Sequence, residues 1–165
     1  MDKQYALDAD VLISASRGFY AFDIAPAFWR QLAVNGKDRL ILVDRVCQVI
    51  YAAEDQLSEW LKTNEGAFTI KSSQDDKVIE TYSRIMAAVE ANPVYYGSAK
   101  AAFAGTAESW LCAHALAHGH VVVTQERYEP QSRNEVTIPN ICREFSIEYV
   151  NLFQLMRLLG IRFET

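Results

Sequence analysis

The sequence predicts a three-layer α/β domain, a central parallel sheet of about four or five strands flanked by helices. Two observations lead there. Short apolar runs rich in aliphatic and β-branched residues recur along the chain, each bounded by polar residues. Between them lie segments whose apolar residues repeat at helical spacing, and strands alternating with helices require a parallel sheet covered on both faces.

Taken in order, Tyr5-Ala6-Leu7 reads as a buried strand ending at Asp8. A helix is expected over residues 11–15, ended by Gly18, and a second over 27–34, opened by Pro26 and stopped by Asn35-Gly36. Residues 40–43 form the next strand, after which Asp44 is expected to cap a helix over 46–52. A helix over 55–62 repeats Leu57, Trp60 and Leu61, and residues 68–70 read as a strand. The long helix covers 75–91, with Val78, Ile79, Tyr82, Ile85, Met86 and Val89 on one stripe, closed by Asn92-Pro93. Residues 97–103 are helical, and Thr106 is expected to cap a helix that Gly119 ends. Val121-Val122-Val123 is a strand, followed by a charged loop over 125–134. A helix over 139–145, a strand over 148–150 and a helix capped by Asn151 and running to 159 complete the chain.

With 165 residues, half of them hydrophobic, the chain is expected to form one domain over residues 1–165. Cys47, Cys112 and Cys142 are far apart and odd in number, which points to reduced, buried thiols and a cytoplasmic setting. No apolar run reaches the length of a membrane span, and no secretory signal pattern is expected. The net charge of -5 argues against nucleic-acid binding by electrostatics alone. A divalent metal in an acidic pocket reverses the local sign and is one route around that difficulty.

The acidic residues sit at telling places. Asp8-Ala9-Asp10 follows the first strand, where two carboxylates facing one cavity need a metal or a proton to coexist. The alternative is that Asp10 caps the next helix and Asp8 shapes the turn. Glu108 lies in the first turn of a helix, a position the helix dipole favours in any protein. Glu126 follows the Val121 strand, where it can also be a solvated loop charge beside Arg127. All three lie at a strand end or a helix start, and open parallel sheets bind ligands beyond the carboxyl ends of their strands.

Residues 5–13, Tyr-Ala-Leu-Asp-Ala-Asp-Val-Leu-Ile, resemble the opening of PIN domains. The stretch from Ala107-Glu108 to Gly119 resembles that family's acidic helix start, and Val121 to Glu126 its following strand, threonine and acid. The likeness extends in order and spacing over nearly the whole chain, and is strongest to bacterial PIN-like toxins with an Asn-Leu-Phe helix and a Gly-Ile-Arg-Phe tail. It implies a PIN-like ribonuclease, the toxin of a toxin–antitoxin pair, holding Mg²⁺ or Mn²⁺ on carboxylates for phosphodiester hydrolysis. It assigns catalysis to Asp8, Glu108 and Glu126, and metal binding to these three with Asp10. RNA is then the substrate, and an antitoxin protein and a second copy of the chain are the expected partners. Arg17 and Arg127 are expected to flank the site and contact phosphate. The chain departs from the family at Val49, where the family usually carries a glutamate; Asp44 and Glu54 are acids near that position. Reduced activity is expected on that account.

Three other readings compete. Asp8-x-Asp10 after a strand also resembles the first motif of haloacid-dehalogenase-type phosphotransferases, which further require a lysine and a later aspartate pair. His114 and His118, four apart on a helix, and His120 suggest a zinc site, with no fourth ligand evident in the sequence. A degenerate PIN fold that only binds a partner is the third, using Phe19, Tyr20, Phe22, Phe28 and Trp29 as a groove unless these are core.

Overall fold

The computed structural model describes residues 3–164. Among them, strands β1 (Tyr5–Leu7), β2 (Leu40–Val43), β3 (Thr69–Lys71), β4 (Val121–Val123) and β5 (Tyr149–Val150) form one sheet in the order β3-β2-β1-β4-β5. All pairings are parallel. Every residue of β1, β2 and β4 is buried, and since side chains alternate between faces, both faces of the sheet centre are covered. This is the three-layer α/β arrangement that the apolar runs predict.

The topology decides where a site belongs. From β1 the chain steps outward to β2 and β3, then returns to the other side of β1 for β4 and β5. Connections therefore diverge between β1 and β4, the kind of switch point that leaves a crevice at the carboxyl ends of open sheets. Register aligns the two strands there, Leu7 lying beside Val123, so Asp8 and Thr124 leave the sheet together.

The helices follow from local chemistry, with some differences from the sequence expectation. Helix α1 (Ala9–Arg17) starts earlier than expected and is capped by Asp8, whose carboxylate accepts from the Asp10 backbone N–H at 3.4 Å. Asp10 is therefore inside the first turn, not the cap. Helix α2 (Pro26–Asn35) opens on its proline and stops at Gly36, where a Cβ would collide with the Leu32 carbonyl and the Leu40 side chain. Helix α3 (Asp44–Ala52) begins at Asp44 itself, directly after β2. Instead of capping, the Asp44 carboxylate accepts from the Ser73 N–H at 3.1 Å and its hydroxyl at 3.0 Å, tying β2 to the loop after β3. Helix α4 (Gln56–Asn64) carries a reciprocal cap between Asp55 and Ser58, and runs into a 3₁₀ turn, Glu65–Ala67, that the sequence pattern does not reveal.

Helix α5 (Asp76–Ala91) is capped by Asp75 and buries Val78, Ile85 and Val89, whereas Ile79 of the expected stripe is exposed. Helix α6 (Gly97–Ala104) leads to α7 (Ala107–His118), which is buried on most sides and carries alanines where neighbours approach. Thr106 stands at the N-cap of α7, but its hydroxyl donates to the Phe103 carbonyl rather than capping. Gly119 ends α7 in the left-handed region (φ 72°), the conformation that favours glycine. Helix α8 (Ile138–Glu144) is capped by Thr137, and α9 (Leu152–Leu158) by Asn151 as expected.

Phe28 and Trp29 are core residues, stacked against Tyr20 and Phe22 respectively. Of the aromatic cluster near the first motif only Phe19 is strongly exposed, at 86%. Core packing accounts for the rest. Cys47, Cys112 and Cys142 are buried and free. No helix among the described residues is long and apolar enough to cross a membrane.

Candidate metal centre

Four acids from three parts of the chain meet at the switch point. The ligand oxygens of Asp8, Asp10, Glu108 and Glu126 all lie within 4.8 Å of one another. Asp8 arrives from the end of β1, Asp10 from the first turn of α1, Glu108 from the first turn of α7, and Glu126 from the loop after β4. Asp8 is buried, Glu108 and Glu126 are half-buried, and Asp10 is exposed, so the cluster forms a well open on one side.

Each carboxylate is fixed by neighbours. The Thr124 hydroxyl donates to Asp8 Oδ2 at 3.2 Å and accepts from the Glu126 N–H at 3.1 Å, coupling the ends of β1 and β4. The Ile138 N–H, at the start of α8, donates to Glu126 Oε1 at 2.9 Å. The buried Asn140 holds the same loop by bonds to both backbone groups of Glu129. Thr124 belongs to the motif the sequence displays, but its place between Asp8 and Glu126 emerges only in three dimensions. The Ile138 amide leaves no sequence signal at all.

Crowding of like charge out of water perturbs these groups strongly. Burial, then the Glu126 and Asp10 charges, raise Asp8 to about 7. Burial, with Glu126 and Asp8 beside it, raises Glu108 to about 9, and burial also raises Glu126. The closeness of Glu108 and Glu126 makes their protonation interdependent, and burial raises both. The protein alone therefore holds protons in this well at neutral pH to relieve repulsion. A divalent cation does the same, and an all-carboxylate donor set suits a hard ion such as Mg²⁺ or Mn²⁺. The residues fit such an ion.

The other positions singled out by the sequence stand elsewhere. Arg17 is in the last turn of α1, nine residues and about 13.5 Å along the helix from Asp8 at 1.5 Å per residue. Its guanidinium meets Asp55 at 3.5 Å, at the other end of α1 from Asp8 and Asp10. Arg127 follows Glu126 directly and is exposed. Val49 is not core: it is 43% exposed, in a groove of about 340 Å³ shared with Arg45, Gln48, Thr106, Ala107 and Trp110. Asp44 is occupied by Ser73 and does not join the acids, and Glu54 is exposed beyond the end of α3. The aspartate pair required by the phosphotransferase reading is also absent from the cluster, since Asp75 caps α5 and meets His118.

This fold is PIN-like, an α/β domain with acids gathered where β1 and β4 end. The chain belongs to the family described as "Domain of unknown function (DUF4411)", whose model matches residues 5–163. It is similar to a chain in the crystal structure of VapBC2 from Rickettsia felis bound to a DNA fragment from their promoter. That likeness has a TM-score of 0.57 and 13% identity, and covers 89% of this chain and 97% of the other. At such identity it speaks for the fold alone. No curated protein matches the chain.

Proposed function

We propose that this protein is a metal-dependent endoribonuclease acting as the toxin of a toxin–antitoxin pair. The observation that carries the nuclease reading is the convergence of Asp8, Asp10, Glu108 and Glu126 at the switch point of a PIN-like sheet. Asp8 and Glu126, held by Thr124 and the Ile138 amide, would be the fixed ligands, and Glu108, whose pKa is raised by burial, would join them in its ionised form. Mg²⁺ or Mn²⁺ bound there supplies water activation and neutralises charge on a phosphodiester.

Chain residues do the rest. Arg127, exposed beside Glu126, contacts a phosphate, and the groove between α3 and the start of α7 receives the adjoining nucleotide. In that groove Arg45 lies over the Trp110 ring at 4.9 Å, a cation and an aromatic surface together. The toxin role is supported by the fold likeness to a chain from a complex named VapBC2, and an antitoxin is the partner it implies.

The test is cleavage of a mixed-sequence RNA by the purified chain with Mn²⁺, with EDTA, and in the Asp8→Asn and Glu126→Gln variants. Metal-dependent cleavage that falls about 100-fold or more in either variant is expected, losing a ligand being at least as costly as losing its outer partner. Cleavage indifferent to EDTA and to both substitutions overturns the reading.

A further inference from the structure

A second cluster lies apart from the acids. His114 and His118 on α7 and His120 before β4 line one cavity of about 290 Å³, with Asp75, Lys71 and Gln4. Their ring centres are 4.9 Å apart for His114 and His118, 5.1 Å for His114 and His120, and 6.0 Å for His118 and His120. Imidazole nitrogens about 2.0–2.1 Å from a tetrahedral zinc ion put ring centres about 5 Å apart. The triangle of rings has the size of a three-histidine site, but His114 and His120 are stacked with their planes 14° apart, so the ring nitrogens converge on one ion only after the rings turn.

Two further observations point to a ligand. His114 is 1% exposed, yet its Nδ1 has no hydrogen-bond partner, a costly state for a buried polar atom. Asp75 is held rigidly as the cap of α5, its Oδ1 accepting from the Lys77 N–H at 2.8 Å, while its Oδ2 lies 3.1 Å from His118 Nε2. A carboxylate on one ring nitrogen fixes the tautomer and leaves the other nitrogen's lone pair for a metal.

We propose that His114, His118 and His120 form a second metal site, for a borderline ion such as Zn²⁺, with Asp75 orienting His118 and water in the fourth position. The site is assembled from a helical i, i+4 pair and a residue beyond Gly119, and its carboxylate comes from a helix 43 residues earlier. That distance is why no acidic partner shows in the local sequence. The rings reach ligating positions by rotation about χ2, a soft torsion in histidine. Burial, with the neighbouring histidines and Lys71, lowers His114 to about 4, and burial also lowers His120. Both rings are therefore neutral at neutral pH, the form that binds metal. Lys71 is the one cationic lysine at the cavity among its lining residues, and it is exposed on a flexible stem.

The experiment is Co²⁺ titration of the metal-stripped full chain, read by the visible bands of tetrahedral cobalt, followed by displacement with Zn²⁺. One site with those bands is expected, weakened at least tenfold by His118→Gln and by His120→Gln. Asp75→Asn, which keeps a good helix cap, should weaken it about 10–100-fold, and Lys71→Ala should tighten it. Glu108→Gln should leave it unchanged. Melting in chelator checks that His118→Gln and His120→Gln remain folded, both residues being less buried than His114. Absence of the bands, their survival in the His118→Gln/His120→Gln double variant, or their loss in Glu108→Gln overturns the proposal.

Discussion

Asp8 is buried at the end of β1 with Glu126 and Asp10 as charged neighbours, and the same carboxylate caps α1. Asparagine caps a helix about as well as aspartate, so Asp8→Asn keeps the cap and removes the charge. The variant should melt no earlier than the parent in EDTA while losing Mn²⁺ binding in calorimetry; retained binding would remove Asp8 from the site. Val49→Glu is informative for a different reason. At 43% exposure a carboxylate there meets solvent, so the cost should stay within about 0.5–1 kcal/mol, the range of surface substitutions, rather than the several kcal/mol of a buried charge. The groove it shares with Thr106 and Ala107 adjoins Glu108, and Mn²⁺ binding should tighten several-fold. Unchanged affinity in the stable variant would show that position 49 is not a vacated ligand position. At this scale Asp8 and Glu108 were legible because one directly follows a strand and the other opens a helix, where direction is set by the backbone; Glu126, three residues past β4, was legible only through its motif. Arg17 ends α1, nine residues on from Asp8 at the strand end, a separation that the sequence reading did not weigh.

The acids come from elements that fold together, so their repulsion becomes a property of how β1, α7 and the loop after β4 pack. Asp8 is raised from 3.8 to about 7 and Glu108 from 4.5 to about 9, so between those limits the folded chain binds more protons than the unfolded one. Stability from these groups is then greatest below their unfolded values and is lost as pH rises through about 7 to 9. Metal-free protein should melt several degrees lower at pH 9 than at pH 5.5, at about 2–4 °C per kcal/mol for a chain of this size. Mn²⁺ should restore more stability at pH 8 than at pH 5.5, where protons compete for the same oxygens. A melting temperature flat or rising across that range without metal would contradict the linkage. Element existence was readable from sequence since apolar runs and helical spacing differ in period. Boundaries were less so: α3 starts at Asp44, directly after β2, and Asp44 bonds to Ser73 instead of capping, a contact across 29 residues that no local pattern announces.

The whole molecule carries a net charge of -5, with its acids concentrated where a polyanion would have to bind. Composition alone therefore argued against RNA, and only the sheet order, which brings β4 beside β1, shows how acids 100 and more residues apart make one cation well. The consequence is that RNA affinity should be gated by divalent metal. An ion bound there would replace repulsion at the well with attraction for phosphate, and Arg127 and Arg45 are expected to add a few contacts nearby. The measurement is fluorescence anisotropy of a labelled RNA with the cleavage-deficient Glu126→Gln variant, which retains Asp8, Asp10 and Glu108. With Mn²⁺ at saturating concentration the RNA should bind, and EDTA should weaken binding by at least about tenfold. Arg127→Ala should lower both affinity and the steepness of its salt dependence, by about one phosphate contact, whereas Arg17→Ala, tied to Asp55 at the far end of α1, should change neither. Equal binding with EDTA and with Mn²⁺ would mean that the RNA is held away from the acids, and the well would then need a different explanation from catalysis on RNA.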